Sequence, residues 1–194
     1  MKKLFLKFPV ILMLLFAVAC SNERANNQAE DSNEVAEETN DEKFDDKDVK
    51  DDADFVAEQV AANYAELEMA KLAAQRSSVS DIKTIAQKLE TEHSKKLEEL
   101  KSLAQQKSIT VPTEAEDDAK KTVRNLSEEK DADDFNEEWC KEMVDKHEKK
   151  IEAYEDQMEK TEDPELKNWI GNTLPSLRTH LDQLKACHEK LKDA

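Results

Sequence analysis

The fold class is decided by residues 79–106, VSDIKTIAQKLETEHSKKLEELKSLAQQ. Apolar residues in this stretch recur every three or four positions, which is the period of one face of an α-helix. The stripe consists of Ile82, Ala86, Leu89, His93, Leu97, Leu100 and Ala104. Most other positions are charged or polar, so the stretch predicts a long amphipathic helix with one buried face.

Three further stretches show the same period and predict long helices at about 52–76, 132–161 and 164–192. A short helix is expected from Thr113 to about Leu126. Four long amphipathic helices predict an all-α four-helix bundle. The connection of about 25 residues between the second and third long helices can run the full height of the bundle, as in ferritin-like folds.

The last long helix carries signals for both its start and an interruption. Asp163 followed by Pro164 is a strong helix start, because aspartate caps the first turn and proline fits the first helical position. Gly171 and Pro175 lie further along the same stretch. Since proline has no backbone N–H to donate, a kink or local unwinding is expected there.

Charge excludes several classes of partner. The chain of 194 residues holds 46 acidic and 29 basic residues, a formal net charge of −17. Such a field repels nucleic acids and anionic lipids, so binding to either through general charge is excluded. One glycine and four prolines leave no room for the turn-rich pattern of a β protein.

The first 19 residues have the layout of an export signal, with three lysines before an apolar run that ends at Ala19. This run is too short to span a bilayer as a mature helix. The small residues from Ala17 to Ala19, directly before Cys20, resemble the lipobox of bacterial lipoproteins. We therefore expect the signal 1–19 to be removed and acyl chains such as palmitate on Cys20 to anchor the protein in the bacterial envelope. The expected place is the outer membrane, at its periplasmic face or at the cell surface. Ordinary secretion after cleavage at Ala19 is the alternative.

Residues 20–52 differ in composition from the rest of the chain. They are rich in acids and asparagine and contain few large apolar side chains. Such a segment buries too little surface to offset the entropy of ordering it. We expect a disordered acidic tether here and a single helical domain at 53–194.

Three of the four histidines, His93, His147 and His180, lie on the apolar stripes of separate helices and close to their midpoints. Helix midpoints share one level in a bundle, so the three imidazoles are expected to meet. Glu66 lies near the midpoint of the first helix among small apolar neighbours, and a buried carboxylate needs a partner. Together the four side chains suit a divalent transition metal such as zinc, copper, iron or manganese. The alternative is a buried polar network in which they share protons with water molecules.

Cys140 and Cys187 are equidistant from the turn after Asp163, as are His147 and His180. In an antiparallel hairpin the two cysteines are therefore neighbours, two helical turns from the histidines and on the same face. Export to an oxidising compartment favours a disulfide between them. The alternative is a free thiol pair that supplies soft ligands for copper or zinc.

Five short segments carry a family resemblance: ELEMAKLA at 66–73, LETEH at 89–93, DF at 134–135, MVDKH at 143–147 and LPSLRTHL at 174–181. They resemble a bacterial family known as domain of unknown function 4142. The resemblance covers nearly all of 53–192 and implies an exported protein with a ferritin-like fold. It implies no established activity.

The metal site of the ferritin-like di-iron enzymes is only partly present. Those enzymes carry a Glu-x-x-His motif on each of two helices, and Glu90 with His93 has that spacing. Val144 and Leu177 stand where the third and fourth helices would carry the acid. The incomplete carboxylate set disfavours a ferroxidase or an oxygenase.

The sequence therefore favours a non-enzymatic, membrane-tethered envelope protein whose bundle binds a metal ion or a protein partner. One alternative is a metalloenzyme that uses the cluster of histidines and Glu66. The other is a structural or stress-related lipoprotein in which the histidines form a buried polar network.

Overall fold

A computed structural model of the protein describes residues 31–192. Within this range the chain forms six helices and no strand, so the predicted all-α class is confirmed. The helices are α1 (Ser32–Lys43), α2 (Lys47–Arg76), α3 (Ser80–Lys107), α4 (Asp117–Glu128), α5 (Ala132–Lys160) and α6 (Pro164–Lys192). The predicted signal at 1–19 and the lipidated Cys20 lie outside the described residues.

The four long helices pack as two antiparallel hairpins. Helix α2 packs along α3, and α5 packs along α6. The hairpins meet through contacts of α3 with α6 and of α2 with α5, while the short α4 of the crossover lies against α2 and α5. Each long helix therefore turns one face toward the other three. The predicted bounds of α3, α5 and α6 are correct to within one residue, whereas α2 begins five residues earlier than expected.

The start of α6 is confirmed. Of the two interruptions expected near Pro175, the local unwinding is wrong, and the kink stays a prediction. Asp163 accepts hydrogen bonds through Oδ1 from the backbone amides of Glu165 (2.9 Å) and Leu166 (2.8 Å). The helix then continues without a break through Pro175 to Lys192. Proline removes only one backbone hydrogen bond, and burial of Leu174 and Leu177 on either side holds the helical path.

The predicted disordered tether is wrong for residues 32–52, because α1 and the first turns of α2 occupy them. Helix α1 is attached to the crossover by a fully buried asparagine. Asn40 donates from Nδ2 to the Thr110 carbonyl (2.9 Å) and accepts from the Thr110 amide through Oδ1 (2.8 Å). Ala36 is also buried, and Phe44 packs against the apolar core. The remainder of the predicted tether, 20–30, lies outside the described residues.

We expect Asn40→Ala to lower the free energy of unfolding by about 2 kcal/mol. The substitution removes both hydrogen bonds and leaves the backbone groups of Thr110 without their partner. Urea denaturation measures the loss, with Thr39→Ala as the matched control because the Thr39 side chain is exposed on the same helix. If both variants lose the same stability, α1 is not held as described.

The apolar core consists of two clusters, one toward each end of the long helices. Members of the first include Leu97, Leu100, Tyr154, Ile170 and Leu177. Members of the second include Met69, Leu89, Trp139, Met143 and Leu184. A polar layer separates them, and this layer contains the candidate site. Among the described helices, none is both long enough and apolar enough to cross a membrane.

Candidate metal centre

Three histidines from three helices meet in the polar layer between the apolar clusters. His93 on α3, His147 on α5 and His180 on α6 are 3%, 0% and 2% exposed. Their ring centroids lie 5.4 to 5.6 Å apart. Each ring offers a nitrogen, and the three nitrogens lie within 4.8 Å of one another. The predicted convergence of the histidines is therefore confirmed.

One nitrogen of each ring is hydrogen-bonded to an acceptor in the surrounding protein. The pairs are His93 Nδ1 with the Glu66 carboxylate (2.9 Å), His147 Nδ1 with the Met143 carbonyl (2.9 Å) and His180 Nε2 with the Glu92 carboxylate (2.8 Å). Asn63 Oδ1 is a second acceptor for His93, at 3.0 Å. Since carboxylates and carbonyls only accept, the histidine nitrogens must carry the protons.

In the neutral form of each ring, the other nitrogen carries the lone pair. These atoms are His93 Nε2, His147 Nε2 and His180 Nδ1, and we call them the three open nitrogens. All three are buried, and within residues 31–192 no group hydrogen-bonds to any of them. A buried acceptor without a partner costs about 1–3 kcal/mol, so three in one place require an explanation.

Glu66 is buried as predicted but does not belong to the ligand group. It forms an ion pair with Lys150 of α5 and accepts the hydrogen bond from His93. The group of ligating atoms in the described part of the chain comprises only the three histidines. Glu66, which was predicted as the fourth ligand, is thus paired with Lys150, a residue that the sequence analysis did not identify.

The Glu66–Lys150 pair is fully enclosed, and burial acts on both charges. Burial by itself raises the pKa of Glu66, but the ammonium of Lys150 and the hydrogen bond from His93 hold that pKa well below its usual value. Burial also lowers the pKa of Lys150, although the Glu66 carboxylate opposes this effect. We therefore treat Glu66 as an ionised acceptor that orients His93.

The ring of His147 remains neutral well into acid. Burial lowers its pKa from 6.5 to about 3. The carboxylate of Glu66 opposes this shift, whereas His93, Lys150 and His180 add to it. Burial also lowers the pKa of His180. A neutral imidazole is the form that binds metals.

We expect the metal-free protein to lose stability as the pH falls from 6.5 to about 3. In this window the unfolded chain binds a proton at His147 that the folded protein does not bind. The free energy of unfolding therefore keeps its full value above this window. Within the window it falls as the pH falls, by up to about 1.4 kcal/mol per pH unit. Urea unfolding at several pH values measures the slope.

His147→Gln should flatten that slope, whereas Asn172→Gln, at an exposed position of α6 that does not titrate, should leave it unchanged. An identical slope in wild type and His147→Gln would contradict the assignment.

The two cysteines meet as predicted from their distance to the hairpin turn. Cys140 Sγ and Cys187 Sγ are 3.9 Å apart, both residues are buried, and both are free thiols. Contact with Cys187, together with burial, raises the pKa of the Cys140 thiol. The disulfide stays a prediction. Neither sulfur belongs to the histidine ligand group of the described residues.

Comparison with protein families identifies the domain. A family model described as a domain of unknown function (DUF4142) matches residues 25–187. The chain belongs to this family. The DUF4142 match begins before α1, so it includes the helix that composition alone assigned to a tether.

The fold of this DUF4142 protein also occurs in a solved structure, CopM in the Cu(II)-bound form. The TM-score is 0.60 at 18% sequence identity, and the match covers 72% of this chain and 97% of CopM. At that identity the similarity establishes a common helical fold. No curated protein matches the chain.

Proposed function

We propose that this protein binds one divalent transition-metal ion through His93, His147 and His180, without catalysing a reaction. Its four long helices would form a ferritin-like bundle, held in the bacterial envelope by lipid on Cys20. The observation that carries the proposal is the set of three open nitrogens, which are buried at one level and come from three different helices.

The hydrogen bonds around the histidines favour a metal over a purely polar network. Histidines that bind metals usually donate their second N–H to a carboxylate or a backbone carbonyl, which fixes the tautomer and raises the basicity of the ligating nitrogen. Glu66, Met143 and Glu92 supply these acceptors here. In a polar network of the same residues, the three open nitrogens would need three donated hydrogen bonds, and thus at least two buried water molecules, because each water donates two.

The donor set favours copper or zinc among the transition metals. Imidazole nitrogens suit both ions, whereas manganese, magnesium and calcium prefer carboxylate oxygens. The buried carboxylate nearest the site, Glu66, is already paired with Lys150. Because the protein shares its fold with CopM, whose structure holds Cu(II), copper is the first ion to load.

Metal analysis of the purified protein tests the proposal. Wild type is loaded in turn with zinc, copper, iron and manganese, desalted, and compared with the double variant His93→Ala/His147→Ala. We expect one equivalent of copper or zinc in wild type and less than about a tenth of that in the double variant. His188→Ala is the matched control and should retain the metal, because His188 lies outside the cluster. Absence of all four metals from wild type would rule out the site.

The lipid anchor has its own test. Cells that express the full chain and grow on labelled palmitate should yield labelled protein, and Cys20→Ala should abolish the label while Cys187→Ala retains it. Equal labelling of all three proteins would refute the anchor at Cys20. Membrane fractionation of the same cells then distinguishes the outer membrane from the inner one.

A further inference from the structure

We propose that an ion held by the three open nitrogens keeps a fourth coordination position, which faces a small cavity between α3 and α6 and takes a water molecule or a small anion. This inference rests on the proposed metal site and names the class of ligand that the site exchanges with solvent. The evidence is the difference between the residues that lie on the two sides of the histidine cluster.

On one side the histidines are covered by tightly packed apolar residues. Leu89, Met143 and Leu184 lie one helical turn from His93, His147 and His180, and all three are buried. Leucine offers no donor atom to a metal. Met143 offers only a thioether, a soft ligand suited to Cu(I) rather than Cu(II).

On the opposite side a cavity of about 10 Å³ reaches His93 and His180. Polar side chains such as Asn63, Lys150, Thr173 and Ser176 line it together with Tyr154 and Leu177. A cavity of this volume holds about one water molecule. Space for a ligand is thus found on this side of the cluster.

The cavity lies next to side chains that reach solvent. Glu92 and Lys96 of α3 and Ser176 of α6 line it and are each partly exposed. Solvent therefore has a route to the histidines between these two helices, while α2 and α5 close the inner wall.

The charge of the bound ion favours an anion over a neutral ligand. Two ammonium groups line the cavity, but Lys150 is paired with Glu66 and Lys96 with Glu99. The carboxylate of Glu92 accepts a hydrogen bond from neutral His180, so the side chains around the cavity supply no excess positive charge of their own. A bound divalent ion adds positive charge to this balance, so a small anion gains most from the position.

The test uses the purified protein with one equivalent of Cu(II). Transfer into water enriched in oxygen-17 should broaden the Cu(II) electron paramagnetic resonance spectrum, because a solvent oxygen is bound directly to the ion. Titration with azide should then produce an azide-to-copper charge-transfer band that saturates at one azide per copper.

A substitution that fills the cavity tests whether the fourth coordination position faces it. Ser176→Leu fills the space from α6 without altering a histidine, and should weaken azide binding by at least about tenfold while Cu(II) is retained. Asn172→Leu, an exposed position on the same helix, should leave azide binding unchanged.

The outcomes separate this inference from the metal site itself. Copper held by three imidazoles with no oxygen-17 broadening, or with a sulfur ligand from Met143, would overturn the open position. Broadening without an azide band would overturn the preference for anions. Failure to bind Cu(II) at all would overturn the proposed function and this inference with it.

Discussion

Replacing Lys150 with methionine is expected to lower the free energy of unfolding by about 3–5 kcal/mol, because it leaves the Glu66 carboxylate buried without its cation. Lys150 and Glu66 are both almost completely enclosed, with side chains 3% and 1% exposed. One water molecule in the adjoining cavity cannot supply the positive charge of the lost ammonium, since the pair lies in the centre of the four long helices. Guanidinium denaturation of the metal-free protein measures the loss.

A double-mutant cycle separates the pair from the packing of the lysine stem. Glu66→Gln/Lys150→Met should recover much of the loss, because removing both charges leaves no unpaired ion in the core. Lys149→Met is the matched control on the exposed side of α5 and should change stability by less than about 0.5 kcal/mol. If the double variant is less stable than Lys150→Met, the ion pair is not the cause.

Saturation with zinc is expected to raise the stability of wild type by about 4 kcal/mol at a free concentration of about 1,000 times Kd. For a chain of this size that corresponds to an increase in Tm of about 8–16 °C. The reason is linkage: the folded protein presents the three open nitrogens together, whereas the unfolded chain separates them. Differential scanning calorimetry with and without zinc measures the shift.

The same shift should be lost in His147→Ala and retained in His188→Ala. Because each variant is compared with and without zinc, any stability that the substitution itself removes cancels. Magnesium at the same concentration should have no effect, since it prefers oxygen ligands. An equal zinc shift in wild type and His147→Ala would mean that the ion binds elsewhere.

The sequence was sufficient where periodicity and a short turn determine the structure. A hairpin that turns after Asp163 pairs positions at equal distances from the turn. It therefore brings His147 to His180, with ring centroids 5.6 Å apart, and Cys140 to Cys187, with sulfurs 3.9 Å apart. His93 was predicted at the same level because it lies near the midpoint of its helix, and helix midpoints share one level whichever way the helices run.

Sequence reasoning failed where a polar side chain decides the structure. An apolar stripe assigns charged residues to solvent, yet Lys150, three positions after His147, is buried against Glu66. The one available signal was Glu66 itself, because a buried carboxylate requires a cation. Helix α1 was missed for a related reason. The hydrogen bonds of Asn40 with Thr110 attach this helix to the crossover, and amino-acid composition does not predict such contacts.

The hydrogen-bond acceptors of the histidines were also beyond the sequence. Glu92 precedes His93 on α3 but accepts from His180 on α6. Only the packed helices show that one residue orients the ligand of another helix. The choice of open nitrogen on each ring follows from these contacts and not from spacing.

X-ray absorption spectroscopy of the copper- or zinc-loaded protein tests the central claim most directly, since multiple scattering counts the imidazoles around the ion. We expect the signature of three imidazoles in wild type, from His93, His147 and His180, and of two or fewer in His147→Ala. Fewer than three imidazoles in wild type, or an identical spectrum in the variant, would contradict a metal centre between α3, α5 and α6.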